Sequence, residues 1–403
     1  MALGRPVDIA INHDPDAILM HKTNHPDTLH LTEDIFKVNL KKYVKGQHVV
    51  LMWASPDCTS HSKAKGGKPR EKGLRILPWA VYKHAKAILP DVILMENVEE
   101  IQQWGPLDEK GYPIPERKGE DYKKFITAMK SLGYRFGSRE LVAADYGAPT
   151  TRKRWYAVFR RDGREIRFPK QTHSADGIGF EKWKPCGDYI DWSDLGSSIF
   201  ERKKPLAEAT QKRIANGIKK YIIDAESPYI VRNGEALAYI IQYHGETRAG
   251  DSRGQLLTEP IKTIDTSPGH FGLVSAFLIK YYGGGCGQTL DRPLDTITTK
   301  DRFGLVNVIL DIKGEKYIIS DIFLRMLKPE ELKLMQGFPK DYIIDRDYNW
   351  KKYPIAKQVA RIGNSVVPIM AEKLVEVNCP YLKVGERMPN MSIDDSQEQL
   401  RFA

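Results

Sequence analysis

Short apolar runs alternate with helix-period segments through the first part of the chain, and this alternation constrains the fold more than any other feature. His48–Ala54 (HVVLMWA), Asp91–Met95 (DVILM) and Trp155–Arg160 (WYAVFR) have the length and apolarity of buried strands. Between them, Leu77–Leu89 reads as a helix with Pro78 near its first turn, where a missing N–H costs little. In Glu120–Leu132, the residues Tyr122, Phe125, Ile126, Met129 and Leu132 fall on one helical face, and Gly133 is a natural stop. Short apolar strands alternating with helices indicate an α/β fold on a parallel sheet.

From residue 165 onward the texture changes. Gly, Pro, Thr and aromatic residues rise, and long helical periodicity fades. An internal repeat appears: LLTEPIKTIDTSPGHFGLVSAFL (256–278) matches TLDRPLDTITTKDRFGLVNVIL (289–310), with Pro260/Pro293 and Thr263/Thr296 both at a spacing of 33. Two copies are too few for a solenoid, so a duplicated β-rich unit inside one domain is expected. Helical texture returns near Lys328 and at Val366–Val377. The expected organisation is an α/β domain over 1–164, a β-rich domain over 165–325, a return to the first domain over 326–385, and a frayed polar tail over 386–403.

Composition excludes several classes. At 403 residues, 41% of them hydrophobic, the chain can bury a sizeable core. No apolar run approaches the roughly 18 residues a membrane span needs, and no secretory signal opens the chain. The four cysteines, Cys58, Cys186, Cys286 and Cys379, lie far apart without a CxxC pair. That argues against a zinc ribbon or disulfide framework and suits a reducing cytoplasm. The net charge of +10 is concentrated: His61–Arg75 carries +5 and Thr151–Glu165 carries +4. Clustered positive charge is the footprint of a polyanion partner, although either window alone reads equally well as a solvated basic loop.

Chemistry-bearing blocks adjoin both windows. The first strand runs into Ser55-Pro-Asp-Cys-Thr-Ser-His-Ser62, which sets Cys58 just past a strand end, where α/β enzymes place reactive groups. A lone cysteine there is more often structural than nucleophilic. The next strand ends in Met95-Glu-Asn-Val98. Glu96 at that edge is a candidate acid with a raised pKa, or else a capping or surface residue. Asp145-Tyr-Gly-Ala-Pro-Thr-Thr-Arg-Lys-Arg154 leads into a further strand, with Arg152 and Arg154 pointing the same way if extended. Towards the C-terminus come Arg325-Met-Leu-Lys-Pro-Glu330, Leu334-Met-Gln-Gly-Phe-Pro339 and Arg361-Ile-Gly-Asn-Ser-Val-Val-Pro368.

These blocks, in this order, resemble the DNA (cytosine-5)-methyltransferase family: Pro-Pro-Cys, Glu-Asn-Val, Gln-x-Arg-x-Arg, a variable target-recognition region, Arg-x-Leu-Thr-Pro-x-Glu with Leu-Gln-Gly-Phe-Pro, and Gly-Asn-Ser-Val. The resemblance runs from about residue 10 to 377, with the variable region unmatched. It implies an α/β, Rossmann-like sheet binding S-adenosylmethionine, plus a smaller β-rich target-recognition domain. It implies that Cys58 adds to C6 of a flipped-out cytosine, so that C5 attacks the sulfonium methyl group. Glu96 would protonate or hydrogen-bond N3, and Arg154, with Arg152, would hold O2. By position, Asn12 (with Asp14 as a nearby alternative) would meet the ribose hydroxyls, Asp34 with Ile35 the adenine, and Asn364 and Ser365 the methionine end. The Lys63–Arg75 loop, with Lys63, Lys65, Lys68 and Arg70, would close over DNA phosphates, its glycines supplying mobility. Implied partners are double-stranded DNA and a cognate restriction endonuclease. No metal is implied. A monomer in the cytoplasm of a bacterial or phage-infected cell is expected.

Three departures from the pattern stand out. Pro-Pro-Cys is Pro-Asp-Cys, and Asp57 disfavours a neighbouring thiolate unless it points away or pairs with Lys63 or Lys65. The Gln of Gln-x-Arg-x-Arg is Thr150. The family's opening strand and Phe-x-Gly-x-Gly-Gly loop have no counterpart before Asn12. In the family that strand lies mid-sheet, and its loss leaves unpaired backbone groups that cost about 1–3 kcal/mol each. The expectation is that Met1 is an internal methionine of a longer reading frame, with Met1-Ala-Leu-Gly4 ending the first helix. A separate chain supplying the segment and a decayed enzyme are the other options. Two alternative functions stay open: a non-catalytic DNA-binding remnant and an RNA cytosine-5 methyltransferase.

Overall fold

The computed structural model describes residues 2–57, 75–231, 236–243, 252–280, 309–312 and 315–384. The chain opens with β1 (Ile9–Asn12), α1 (Pro15–Asn24), β2 (Leu29–Thr32) and α2 (Leu40–Val44). Strands β1 and β2 pair in parallel, with Ile9 opposite Leu29 and Asn12 opposite Thr32. Asp14 starts α1 as its N-cap: its Oδ1 accepts from the Asp16 amide at 2.9 Å and the Ala17 amide at 3.4 Å.

Next come β3 (Leu51–Ala54), α3 (Leu77–Ile88), β4 (Val92–Asn97), α4 (Glu120–Ser131), β5 (Arg135–Val142) and β6 (Lys153–Arg160). They form a four-stranded sheet in the order β3-β4-β6-β5. The expected strands and helices here lie within a few residues of those observed. The parallel sheet, however, is mixed. β3 and β4 are parallel, whereas β6 runs antiparallel to both β4 and β5. The β5–β6 connection holds only the short Ala143–Tyr146 turn and a loop, too little for the helical crossover that parallel pairing needs. β5 (RFGSRELV) carries no apolar run, so alternation alone could not reveal it.

Each face of this sheet has its own core. Ile93, Met95, Trp155, Ala157 and Phe159 pack against Val81 and Ala85 of α3 and Phe125, Ile126 and Met129 of α4. The alternate residues Val92, Leu94, Tyr156 and Val158 pack with Met370, Leu374 and Val375. Among the described residues, no strand hydrogen-bonds the β1–β2 pair to the four-stranded sheet. Side chains of α3 join them: Ile88 packs on Leu31, Val38 and Leu40, and His84 Nε2 donates to the Ile35 carbonyl at 2.7 Å.

The second half adds α5 (Glu208–Ile218), β7 (Ala236–Gln242), β8 (Phe271–Lys280), β9 (Ile309–Ile312) and β10 (Glu315–Met326). The last four strands are antiparallel in the order β7-β8-β10-β9. Ile214 and Ile218 of α5 cover Leu237, Tyr239 and Ile241 on one face. On the other face, Ala238, Ile240 and Leu273 meet Leu332 and Met335 of α6 (Pro329–Met335) and Val359 and Ile362 of α7 (Ile355–Asn364). Helix α8 (Pro368–Asn378) follows and returns to the first sheet. The second copy of the repeat, apart from Ile309 and Leu310, lies outside the described residues. Among those residues no helix is long and apolar enough to cross a membrane.

Candidate active site

Strand register assembles the site. Ala54 of β3 is opposite Met95 of β4, so Ser55 emerges beside Glu96, and Glu96 is paired with Tyr156 of β6. Side chains alternate faces along a strand, so Glu96, Tyr156 and Arg154 share the face covered by α8. The Arg154 Nε lies 3.4 Å from Glu96 Oε1, and Glu96 is only 8% exposed. Burial pushes the Glu96 carboxyl above its usual range, against the opposing pull of Arg152, Arg154 and a hydrogen bond from Ser55. Glu96 is therefore a buried acid beside fixed positive charge, able to carry a proton at higher pH than a surface glutamate. The neighbouring Asn97 points the other way. Its Nδ2 donates to the Pro56 carbonyl at 3.1 Å, which ties down the segment leading to Cys58.

The two arginines, equivalent in sequence, do different things. Arg154 faces Glu96, whereas the buried Arg152 donates from Nη1 to the Gly363 carbonyl at 3.1 Å. Thr150, standing where the family has Gln, is fully buried, and its Oγ1 accepts from the Arg152 amide at 3.2 Å. The Thr151 amide donates to Ile261 O and the Ile261 amide to Pro149 O, each at 2.9 Å. The arginine loop is thus strapped to the strand-rich half of the molecule. The same half touches Gly363 directly: a Cβ there would lie 2.2 Å from the Asp265 carbonyl oxygen. Gly363→Ala is expected to lower unfolding free energy by about 1–3 kcal/mol, because backbone must move to make room. Urea denaturation checks this, and a loss below about 0.5 kcal/mol contradicts the packing described.

The residues singled out for cofactor binding fall into two groups. Asn12 ends β1, and Asp34 follows two residues after the end of β2, so both sit at the C-terminal edge of a parallel pair. Asn12 Oδ1 accepts from the Asp14 amide at 3.0 Å, leaving its Nδ2 to donate. Asp14 is occupied twice, by capping α1 and by Arg361 Nη2 at 2.7 Å from Oδ2. The exposed Asp34 accepts from the Phe36 amide through Oδ1 at 2.9 Å, which leaves Oδ2 for an incoming amine. Ile35 is held by His84 through its carbonyl. In the second group, Asn364 ends α7 exposed, and Ser365 is anchored by the fully buried Gln336, whose Nε2 is 3.3 Å from both the Ser365 carbonyl and Oγ. The Asp14–Arg361 pair joins the two groups.

Glu96, Arg152, Arg154, Asn364 and Ser365 are thus brought together by β4, the start of β6 and the end of α7. Cys58, Lys63, Lys65, Lys68 and Arg70 lie outside the described residues. Ser55, Tyr156, Gln336 and the Asp14–Arg361 pair were not found by sequence reasoning, since strand register and contacts across hundreds of residues leave no local pattern. Among the described residues no group of His, Cys, Asp or Glu is arranged to hold a metal ion.

The family model for C-5 cytosine-specific DNA methylase matches residues 6–378. Type II methyltransferase M.AquIA of Picosynechococcus sp. is 27% identical over 179 residues, covering 43% of this chain and 70% of that protein. Type II methyltransferase M.SacI of Streptomyces achromogenes is 27% identical over 188 residues, and the chain spans 44% of its length. Type II methyltransferase M.Sau3AI of Staphylococcus aureus is 22% identical over 384 residues, covering 85% of this chain and 81% of that one. The structure of Entamoeba histolytica methyltransferase EhMeth aligns with a TM-score of 0.49 at 15% identity, over 93% of this chain and 90% of that one. With the family match running through both halves and every motif block, the chain belongs to the C-5 cytosine-specific DNA methylase family.

Proposed function

We propose that this chain transfers a methyl group from S-adenosylmethionine to C5 of a cytosine flipped out of a specific duplex DNA sequence. The observation that carries the reading is the buried Glu96 with Arg154 Nε 3.4 Å from its carboxyl, at the strand end beside the segment that leads to Cys58. Cytosine C5 is a weak nucleophile. A Cys58 thiolate adding to C6 makes C5 enamine-like, and a protonated Glu96 at N3 lowers the barrier to that addition. Arg154 meets the negative charge that develops at O2, and Arg152, pinned to Gly363, adds positive potential from a fixed position. The C5 proton then passes to water, the C5–C6 double bond re-forms as Cys58 leaves as thiolate, and N3 returns its proton to Glu96, which releases 5-methylcytosine.

The cofactor-edge residues fit S-adenosylmethionine, which supplies an electrophilic methyl group when bound. Asp34 Oδ2 would accept from the adenine amino group, Asn12 Nδ2 would donate to the ribose, and Asn364 with Ser365 would hold the methionine end. Asp34→Ala is expected to weaken S-adenosylmethionine binding about tenfold, the loss of one charge-assisted hydrogen bond, by calorimetry. An unchanged affinity removes Asp34 from the adenine site.

The basic loop with Lys63, Lys65, Lys68 and Arg70 would grip phosphates, and the strand-rich region would read bases in the major groove. The relatives named Type II methyltransferase support a pairing with a restriction endonuclease of the same specificity.

Covalent trapping tests the whole reading. The chain is mixed with S-adenosylmethionine and random-sequence duplex DNA containing 5-fluorocytosine, where fluorine blocks the final elimination. A denaturing gel is expected to show an adduct that Cys58→Ser lacks. Binding of DNA without any adduct would instead support a non-catalytic DNA-binding protein, and a preference for tRNA over duplex DNA in competition would redirect the substrate.

A further inference from the structure

We propose that Ser55 is a positioning residue for Glu96, its hydroxyl aimed at the carboxyl group by the indole of Trp53. This rests on the reading of Glu96 as the acid of the reaction. Trp53 and Ser55 are two residues apart and lie on one face of the β3 edge, the face that Glu96 shares by register. Trp53 packs half-buried against the core that includes Leu94 and Tyr156, so its ring is held. Its Nε1 donates to Ser55 Oγ at 2.8 Å.

The donor count then decides the direction of the next bond. An indole nitrogen only donates, so the Ser55 oxygen must accept, and its single hydrogen remains for another acceptor. Strand register sets the Glu96 carboxyl next to Ser55, and that carboxyl is assigned as the acceptor. Among the described residues, the other groups facing Glu96 come from the β6 side: Arg152, Arg154 and the phenol of Tyr156, which is opposite Glu96 in the sheet. Glu96 is therefore held between two walls, arginines on one and a hydroxyl on the other. The last torsion of a glutamate is broad, and two-sided holding removes that freedom. One carboxyl oxygen stays at the sheet edge while the other presents its proton to the base.

A hydroxyl donates more strongly to a carboxylate than to a neutral acid, so losing it must favour the protonated form. The test is a direct titration of Glu96 by carbon NMR on the whole protein labelled at the glutamate carboxyl carbon, with Glu96→Gln identifying the signal. Ser55→Ala is expected to raise the titration midpoint by about half a unit to one unit. Trp53→Phe, which lacks the aiming N–H, moves it the same way by less, and Ser55→Thr, which keeps the hydroxyl, leaves it near the starting value. In turnover, Ser55→Ala is expected to lower kcat about tenfold and to carry the alkaline limb of the pH profile upward with the titration. A Ser55→Ala titration that overlays the parent overturns the proposal whatever the rate does. A Glu96→Gln chain that turns over at the parent rate overturns the reading of Glu96 instead, and leaves the Ser55 titration to stand on its own.

Discussion

Cys58→Ser is expected to abolish methyl transfer, lowering kcat on the order of 10⁴-fold or more, with S-adenosylmethionine affinity changed by less than about twofold. A serine hydroxyl needs a base to become a nucleophile, whereas a thiol reaches the anionic form near neutral pH far more readily. Of the described residues, Glu96, Arg152 and Arg154 do not supply that base. Glu96 is poised as an acid, and Arg152 and Arg154 cannot accept a proton. The Asn97 bond to Pro56 O fixes the backbone two residues before position 58. Incorporation of labelled methyl groups into duplex DNA measures the effect. A Cys58→Ser chain with more than a few per cent of the parent rate would end the covalent mechanism.

Glu96→Gln is expected to lower kcat by about 10²- to 10⁴-fold, the range for a positioned general acid. Its pH signature is specific. The carboxyl is pushed above its ordinary range by burial, so the parent enzyme loses activity as pH rises through that raised value. The glutamine variant, with nothing to titrate there, has a flat profile over the same window. Stability moves the same way. A carboxyl whose folded pKa is raised holds more protons folded than unfolded between the two values, so the parent loses stability as pH rises across that window. Glutamine does not. The melting temperature of Glu96→Gln relative to the parent should therefore climb with pH across the interval. A constant difference would mean that Glu96 is not desolvated in the folded chain.

Much of this site could be named from the chain alone. Cys58, Glu96, Arg152 and Arg154 each sit in a short block whose residue order carries the chemistry, and the family match over residues 6–378 agrees with the reading of those blocks together. The strands that bear them were visible too, because β4 is buried along its whole length and β6 along nearly all of it, and a buried strand is apolar in sequence. β5 escaped because it is half-exposed and polar. Helices α5 and α7 escaped because each buries only a few apolar residues, Ile214 and Ile218 in one and Val359 and Ile362 in the other.

Sequence by itself determined the order of the motif blocks and the α/β class of the fold, since these depend on residue type and local periodicity. Tertiary structure decided which way each group turns and what it meets. The antiparallel insertion of β6 beside β4 places Arg154 on Glu96, and the approach of α7 ties Arg152, which also acts on Glu96, to the Gly363 carbonyl. Strand register likewise puts Ser55 beside Glu96. Pairings of this kind join residues that lie from about forty to more than two hundred positions apart, as Ser55–Glu96 and Arg152–Gly363 do. They are selected by the packing of whole faces against one another, which no local stretch of sequence contains.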